Sequence, residues 1–327
     1  MPGIGDKYRI IEAGAGWRRR AERGRLRFGG GDRTAFLHAL LTNDAAALDA
    51  GRGAYGTLLT PQGRMIADFH LFARPDHIIA DVPAAAAQSL AADFDRLIFA
   101  EDASVADVSA SLVQLSIVGG GAAAIVARAL ELDAGALRDL AIGSQVDAAE
   151  GFAARTDDAA LPGYDLVIPA ERGTEVTEAL TRAGAVSLAD ELFTALRVDA
   201  GRPLFGVDMD TDTIPLEAGL LDRAISTTKG CYVGQEVIIR VLHRGGGRVA
   251  RRLVKIKFTN DASGLQSGAK LHIGDRDAGH LTSLAPALDD SGFMALGYLR
   301  REFAEAGQTV LGGESSSVEG VVTGLAG

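Results

Sequence analysis

Residues 229–236 read KGCYVGQE and hold Cys231, the only cysteine in 327 residues. A lone cysteine is commonly a small buried hydrophobe, but these neighbours suit a working thiol better. Lys229, two residues before it, and Arg240 downstream can favour the thiolate, the nucleophilic and metal-binding form. Gly230 and Gly234 permit close backbone approach or unusual dihedrals. Gln235 and Glu236 bring polar groups that a packed core would leave unsatisfied. One cysteine cannot by itself supply the roughly four ligands of zinc or of an iron–sulfur cluster. The six histidines, His38, His70, His77, His243, His272 and His280, show no paired ligand spacing, so no protein-only metal site is expected. His243 is the nearest histidine in sequence for a Cys–His pair, and nothing local supports one.

Downstream of the thiol, residues 237–260 carry Arg240, Arg244, Arg248, Arg251, Arg252, Lys255 and Lys257 without one acidic residue. Such an island reads either as a charged strand edge or as an anion site, for example for a polyglutamate tail. The chain as a whole carries a formal charge of −10, which argues against general phosphate-driven nucleic-acid binding. Gly119, Gly121 and Ala124 formally fit G-x-G-x-x-A after a strand, but residues 133–150 offer no convincing strand to carry the acidic partner a dinucleotide needs. Close helix–strand packing is the expected role of those glycines. With no possible internal disulfide, no signal-like leader and no long uncharged apolar run, the expectation is a cytoplasmic protein.

The elements that must place these residues read as follows. Residues 25–28 form a short strand, GGGD a turn, and 33–41 a helix capped by Asp32. YGTLLTPQGRMIADFHLF reads as two strands around a TPQG turn, with a third strand near 77–81 and an alanine-rich helix at 83–98. Strand 112–118 runs into a helix through GGGAAAIVARAL. Strand 163–169 precedes helices at 171–183 and 190–199. Beyond residue 245 short strands separated by Gly, Asp and Ser turns indicate a small sandwich or barrel. The expected division is a mixed α/β body at 1–245 and an all-β domain at 246–327, with no obvious sequence repeat.

KGCYVGQEVIIR, preceded by ALRVDAGRPLFGVDMDTDTIPLEAGL, resembles the YgfZ family of folate-binding proteins, relatives of the glycine-cleavage T-protein. LTND, LLTPQGRMIADFHLF, GYDLVIP, HLTSLA and LGYL follow in the family's order. The resemblance implies an α+β cloverleaf of lobes around a central tetrahydrofolate site, with a C-terminal β-barrel. It also implies a role in assembly or repair of iron–sulfur clusters in client enzymes, including one that thiolates tRNA. The alternative it leaves open is a true aminomethyltransferase, because Asp68 sits where T-proteins carry a functional aspartate. Asp165 matches the acidic residue that contacts the pterin, and Arg197 an arginine on the folate side that could hold a carboxylate. Phe193, one helical turn earlier, matches an aromatic position that could stack the ligand. Asn43, Gln235, Glu236 and Arg240 complete the expected cofactor-binding set; Cys231, Lys229 and Asp68 form the expected catalytic one.

Overall fold

The structure is a computed structural model and describes residues 3–244, 246–313 and 318–327. Helix α1 (Ile4–Ala13) and strand β1 (Gly16–Arg19) lead into β2 (Arg23–Gly29), α2 (Arg33–Leu40), β3 (Gly53–Leu59), β4 (Met65–Ala73), β5 (Ile78–Pro83), α3 (Ala87–Leu97) and β6 (Ser104–Asp107). Strands β2 to β6 form one sheet in the order β3-β4-β5-β2-β6. The TPQG turn closes with Gly63 N–H donating to the Thr60 carbonyl at 2.9 Å. The sheet buries Leu26, Phe28 and Phe69 against the helices, and the Phe94 ring of α3 meets Phe28 edge-on at 5.3 Å. Asp32 precedes α2 without capping it. Its carboxylate accepts from the Asp102 N–H at 2.8 Å instead, tying the turn to the loop before β6.

A second unit follows: β7 (Leu112–Val118), α4 (Ala122–Leu130), α5 (Ala134–Asp139), β8 (Gln145–Ala148), β9 (Gly151–Thr156), β10 (Gly163–Pro169), α6 (Gly173–Arg182) and β11 (Val186–Ser187). Its sheet runs β8-β9-β10-β7-β1-β11. Apart from the inserted β1 and the short α5, this repeats the first unit's path. In both, a strand passes through a glycine triplet into a helix, a three-stranded meander follows, and a proline (Pro83, Pro169) starts a 3-10 turn into a second helix. The repetition lies in topology and not in residue identity, which is why the sequence shows none.

The glycine triplet at 119–121 serves packing. Gly119 has φ +154°, and a Cβ there would lie 2.3 Å from the Gly14 carbonyl oxygen. Strand β7 is antiparallel to both its neighbours, β1 and β10, so the parallel crevice of a dinucleotide site is absent here. Residues 145–148 do form a strand, unlike the expectation, but its Asp147 only pairs with Arg74 at the surface.

Helix α7 (Asp190–Asp199), α8 (Leu221–Ala224) and α9 (Gln235–Ile239) then lead to β12 (Arg251–Phe258), β13 (Lys270–Ile273), β14 (Arg276–Pro286), β15 (Phe293–Arg300), β16 (Thr309–Gly312) and β17 (Val318–Leu325). These six strands close a barrel in the order β12-β15-β14-β13-β16-β17. The mixed body with a C-terminal barrel is the fold class the sequence implies. Residue 245, where the sequence reading divides the chain, lies outside the described residues. Among the described residues no helix is long and apolar enough to cross a membrane.

Candidate functional site

Strand β1 belongs to one sheet and β2 to the other, so the link between them carries arginines into the space between the sheets. Arg20 donates from Nη1 to Asp158 Oδ2 at 3.1 Å and to Asp165 Oδ2 at 3.3 Å. Arg23 donates from Nη1 to Asp68 Oδ1 at 2.8 Å, and its Nε is paired with Asp81. Gln114 bridges the two halves, its Nε2 donating at 2.7 Å to both Asp81 and Asp165. Arg20, Arg23, Asp68, Asp81, Gln114 and Asp165 are all buried. Charges so placed persist only when paired, since desolvation costs several kcal/mol per ion.

Titration differs among these acids. Burial alone would raise Asp158, but the charges of His70, Arg20 and Arg223 outweigh it and hold its carboxyl well below the usual range. Burial dominates at Asp165, reinforced by the Asp158 and Asp81 charges, and its pKa is raised despite Arg20. Tyr55 donates its hydroxyl to Asp68 Oδ2 at 3.0 Å, and burial with the Asp68 charge pushes the phenol upward.

Cavities open on this network. One of about 260 Å³ is lined by Asn43, Tyr55, His70, Arg155, Asp158 and Arg223, among others. A narrow one of about 30 Å³ shares four of these residues and adds Asp68, Phe193 and Arg197. A third, of about 850 Å³, adjoins at Phe193 and Arg197 and lies between α7 and the barrel. The third alone has the volume of a small-molecule site. The Tyr55 and His70 rings lie 4.6 Å apart at the junction of the first two. Arg223 pairs with Asp157 at 2.8 Å and reaches Asp158 at 3.6 Å. Arg155 lies over the Tyr164 ring at 5.0 Å and has no ion pair among the described residues, which leaves a cation at the cavity wall for an anionic ligand group.

The residues expected from sequence are only partly gathered here. Asp68 and Phe193 line the cavities, with Phe193 lying 4.4 Å beneath the Arg18 guanidinium. Asn43 lines the first cavity while its amide donates to the Tyr55 carbonyl at 2.7 Å and the Arg223 carbonyl at 3.2 Å. Arg197 also lines the passage, but its guanidinium is held by Asp208 at 2.7 Å and Ser283 at 2.7 Å. Asp165 lines none of these cavities: Ser116, Gln114 and Arg20 occupy its oxygens.

The thiol motif is placed differently from the expectation. Cys231 is exposed, but neither it nor Gln235, Glu236 or Arg240 lines the cavities. The Lys229 ammonium is taken up by backbone, donating to the carbonyls of His38, Leu41 (2.6 Å) and Asn43 (3.3 Å) at the end of α2. That is a helix C-cap by a cation. Burial lowers its pKa to about 8. Gly234 has φ +82°, and a Cβ there would lie 2.5 Å from the Thr60 carbonyl oxygen; around Gly230 there is open space. The motif therefore packs on the TPQG turn, and one of its two glycines is needed for that.

Three of the seven basic residues of the island make separate contacts of their own. Arg251 pairs with Glu217 at 2.9 Å, Lys257 with Asp289 at 3.6 Å, and Lys255 donates to the Asp199 carbonyl at 3.2 Å. Strand β12 is bonded on both sides, by β15 and β17, so it is not a sheet edge. The Arg244 side chain lies outside the described residues. Sequence reasoning missed Arg20, Arg23, Tyr55, Arg155, Asp158 and Arg223. Its one available signal was the arginine-dense run WRRRAERGR, broken by a single glutamate.

Residues 3–229 match the family model of the GCVT N-terminal domain. A chloroplastic protein of Arabidopsis thaliana, named "Putative transferase At1g60990", is 27% identical over 92% of this chain and 68% of its own length. An aminomethyltransferase of Thermosynechococcus vestitus is 28% identical over 83% of this chain and 73% of its own. The solved aminomethyltransferase T of the Bartonella henselae glycine cleavage system superposes with a TM-score of 0.85 at 23% identity, covering 99% of this chain and 89% of that one. With most of its body matched by the family model, the chain belongs to the GCVT family and has the T-protein fold.

Proposed function

We propose that the chain binds a reduced folate, tetrahydrofolate, in the cavities between the two sheets and α7. The observation that carries this reading is the passage lined by Tyr55, His70, Asp158 and Arg223, continuous with a wall that includes Asp68 and Phe193. The residues present fit such a ligand. Asp158 is a carboxylate able to accept from ring N–H and amino groups, a role the resemblance gave to Asp165. Arg155 is a guanidinium without a carboxylate partner among the described residues, suited to an anionic tail, a role the resemblance gave to Arg197. Phe193 offers an aromatic face at the narrowing. A bound reduced folate would supply the nitrogen centres that accept one-carbon units. The chain's own residues would orient it and hold charge around it.

In this reading the protein is a YgfZ-like factor that maintains iron–sulfur enzymes, including tRNA-modifying ones, with Cys231 exposed to a client rather than to the folate. A specific observation favours a second reading, aminomethyl transfer in glycine cleavage: the Asp68 carboxylate stands at the cavity wall, fixed by Arg23 and Tyr55. Calorimetric titration with tetrahydrofolate tests the shared claim, with affinity expected in the micromolar range, about −8 kcal/mol. Asp158→Asn should weaken it by about 1–3 kcal/mol, and an absence of binding heat would remove the proposal. A deletion strain separates the two readings. Loss of cluster-enzyme activity that Cys231→Ser cannot rescue supports the first, whereas loss of glycine-cleavage flux supports the second.

A further inference from the structure

On the far side of the arginine wall lies another cavity, of about 230 Å³, whose lining includes Arg19, Arg20, Arg23, Arg25, Ser109 and Gln114 and no acidic residue. It shares Arg20 and Arg23 with the narrow cavity of the candidate folate site. In a chain of net charge −10, a cavity lined by four arginines and no carboxylate calls for explanation.

Two of the four arginines, Arg19 and Arg25, make no direct ion pair among the described residues; the Asp81 and Asp107 charges act on Arg25 only from further off. Arg25 is 7% exposed. Its guanidinium donates only to the main-chain carbonyls of Arg23 at 2.7 Å, Ser109 at 2.6 Å and Leu112 at 3.0 Å. Among the described residues its Nε has no partner, and neither has Oε1 of Gln114 in the same wall. Arg19 is exposed and makes no ion pair among the described residues. Its Nη2 lies 3.5 Å from where a Cβ on Gly173 would stand, so it sits at the first residue of α6. That helix end adds its own positive potential. Arg20 and Arg23 are committed to carboxylates on their other side. A buried cation without a carboxylate partner is an expensive arrangement, and a bound anion would relieve it here.

We propose that this cavity is a second ligand site, for a phosphate group, either free phosphate or a small phosphomonoester. A dianion answers these two guanidinium groups at once. The planar fork of Arg19 matches two oxygens of a tetrahedral oxyanion, and Arg25 adds its one unpartnered donor, Nε–H. The cavity is small and half-open, which suits a compact ion and not a polymer backbone.

The test is calorimetric titration of the full chain with sodium phosphate, at an ionic strength held constant with sodium chloride, repeated with glycerol 2-phosphate and with glutarate. Saturable heat with phosphate or glycerol phosphate is expected, and the tighter of the two identifies the source. Affinity should rise from pH 6 to pH 8 as the second proton, with a pKa of about 6, leaves the phosphomonoester. Arg19→Gln changes an exposed residue and so should fold normally, and it should weaken binding by at least about tenfold. Arg25→Lys keeps one charge but loses the fork and should weaken binding as well. No saturable heat, glutarate binding as tightly as phosphate, or unchanged phosphate affinity in both variants would each overturn the assignment.

Discussion

Arg23 is the residue on which the buried network depends most directly, because its guanidinium is bonded to both Asp68 and Asp81. Replacing it by Met keeps most of the volume and leaves two buried carboxylates without their direct ion-pair partner, with Arg20, Arg25 and His70 acting on Asp81 only from further off. Removing one partner of a buried pair costs about 3–5 kcal/mol, so Arg23→Met should lose that much in urea denaturation at pH 7. The loss should shrink at pH 5, since unpaired buried acids bind protons more readily in the folded state. A loss equal at both pH values would show that the two acids are not the cause. In the wild type the sign is opposite. Glu22 is held down to about 2, burial being outweighed by Arg18 and Arg20, and Asp158 lies low as well. Both have depressed folded pKa values, so their stabilisation is present above the unfolded value near 4 and is lost as pH falls toward 2. Acid titration followed by circular dichroism should therefore show unfolding set in below about pH 4. At this scale the sequence was a partial guide. It singled out Cys231, which is exposed, and the family resemblance named Asp68 and Phe193, which line the cavities. It could not show that Lys229 would cap α2 or that Arg197 and Asp165 would be taken up by internal partners, because those partners lie in distant segments.

Elements were legible where their pattern is local. The strands at 163–169 and the helix at 190–199 follow from apolar spacing and from the proline or glycine that ends them. Strands β1, β8 and β11 are only two to four residues long, and their existence depends on the sheet that receives them. The glycines of the thiol motif show how such placement can be measured. Gly234 combines φ +82° with backbone contact, while Gly230 faces open space. Gly234→Ala should thus cost about 1–3 kcal/mol through left-handed strain, with more added by the clash, whereas Gly230→Ala should stay within about 0.5 kcal/mol. Thermal unfolding of the two variants side by side decides it. Equal stabilities would mean that the motif does not dock on the TPQG turn as described.

At the scale of the molecule, two units of like topology share a polar seam, and the barrel closes the third side. The apolar part of the seam is small: Phe72 meets Phe152 at 5.2 Å, with Ile79, Ala154 and Val167 around them. The arginine–aspartate network fills the rest, so the architecture hollows out its own centre where a ligand can enter. The end of the barrel is tied to that centre. Gly327 donates its N–H to the Gly201 carbonyl at 2.8 Å, and its main-chain oxygen accepts from Arg202 Nη1 at 2.6 Å. The same guanidinium holds Asp157 at 2.6 Å, and Asp157 in turn holds Arg223 of the cavity wall. Gly219 is packed so closely here that a Cβ would lie 2.0 Å from the Ala326 carbonyl oxygen. Deleting residues 326–327 removes a charge-assisted hydrogen bond and the cover of this joint, which should cost about 1.5–3 kcal/mol. It should also loosen Arg202 and Asp157, and through them the cavity. The shortened chain should then bind tetrahydrofolate more weakly than the full one by a factor larger than its folded fraction explains. Fluorescence of Trp17, which lies on the far sheet with its indole N–H on Thr181 at 3.3 Å, reports the folded fraction independently. If affinity per folded molecule is unchanged, the barrel end braces the fold without reaching the site.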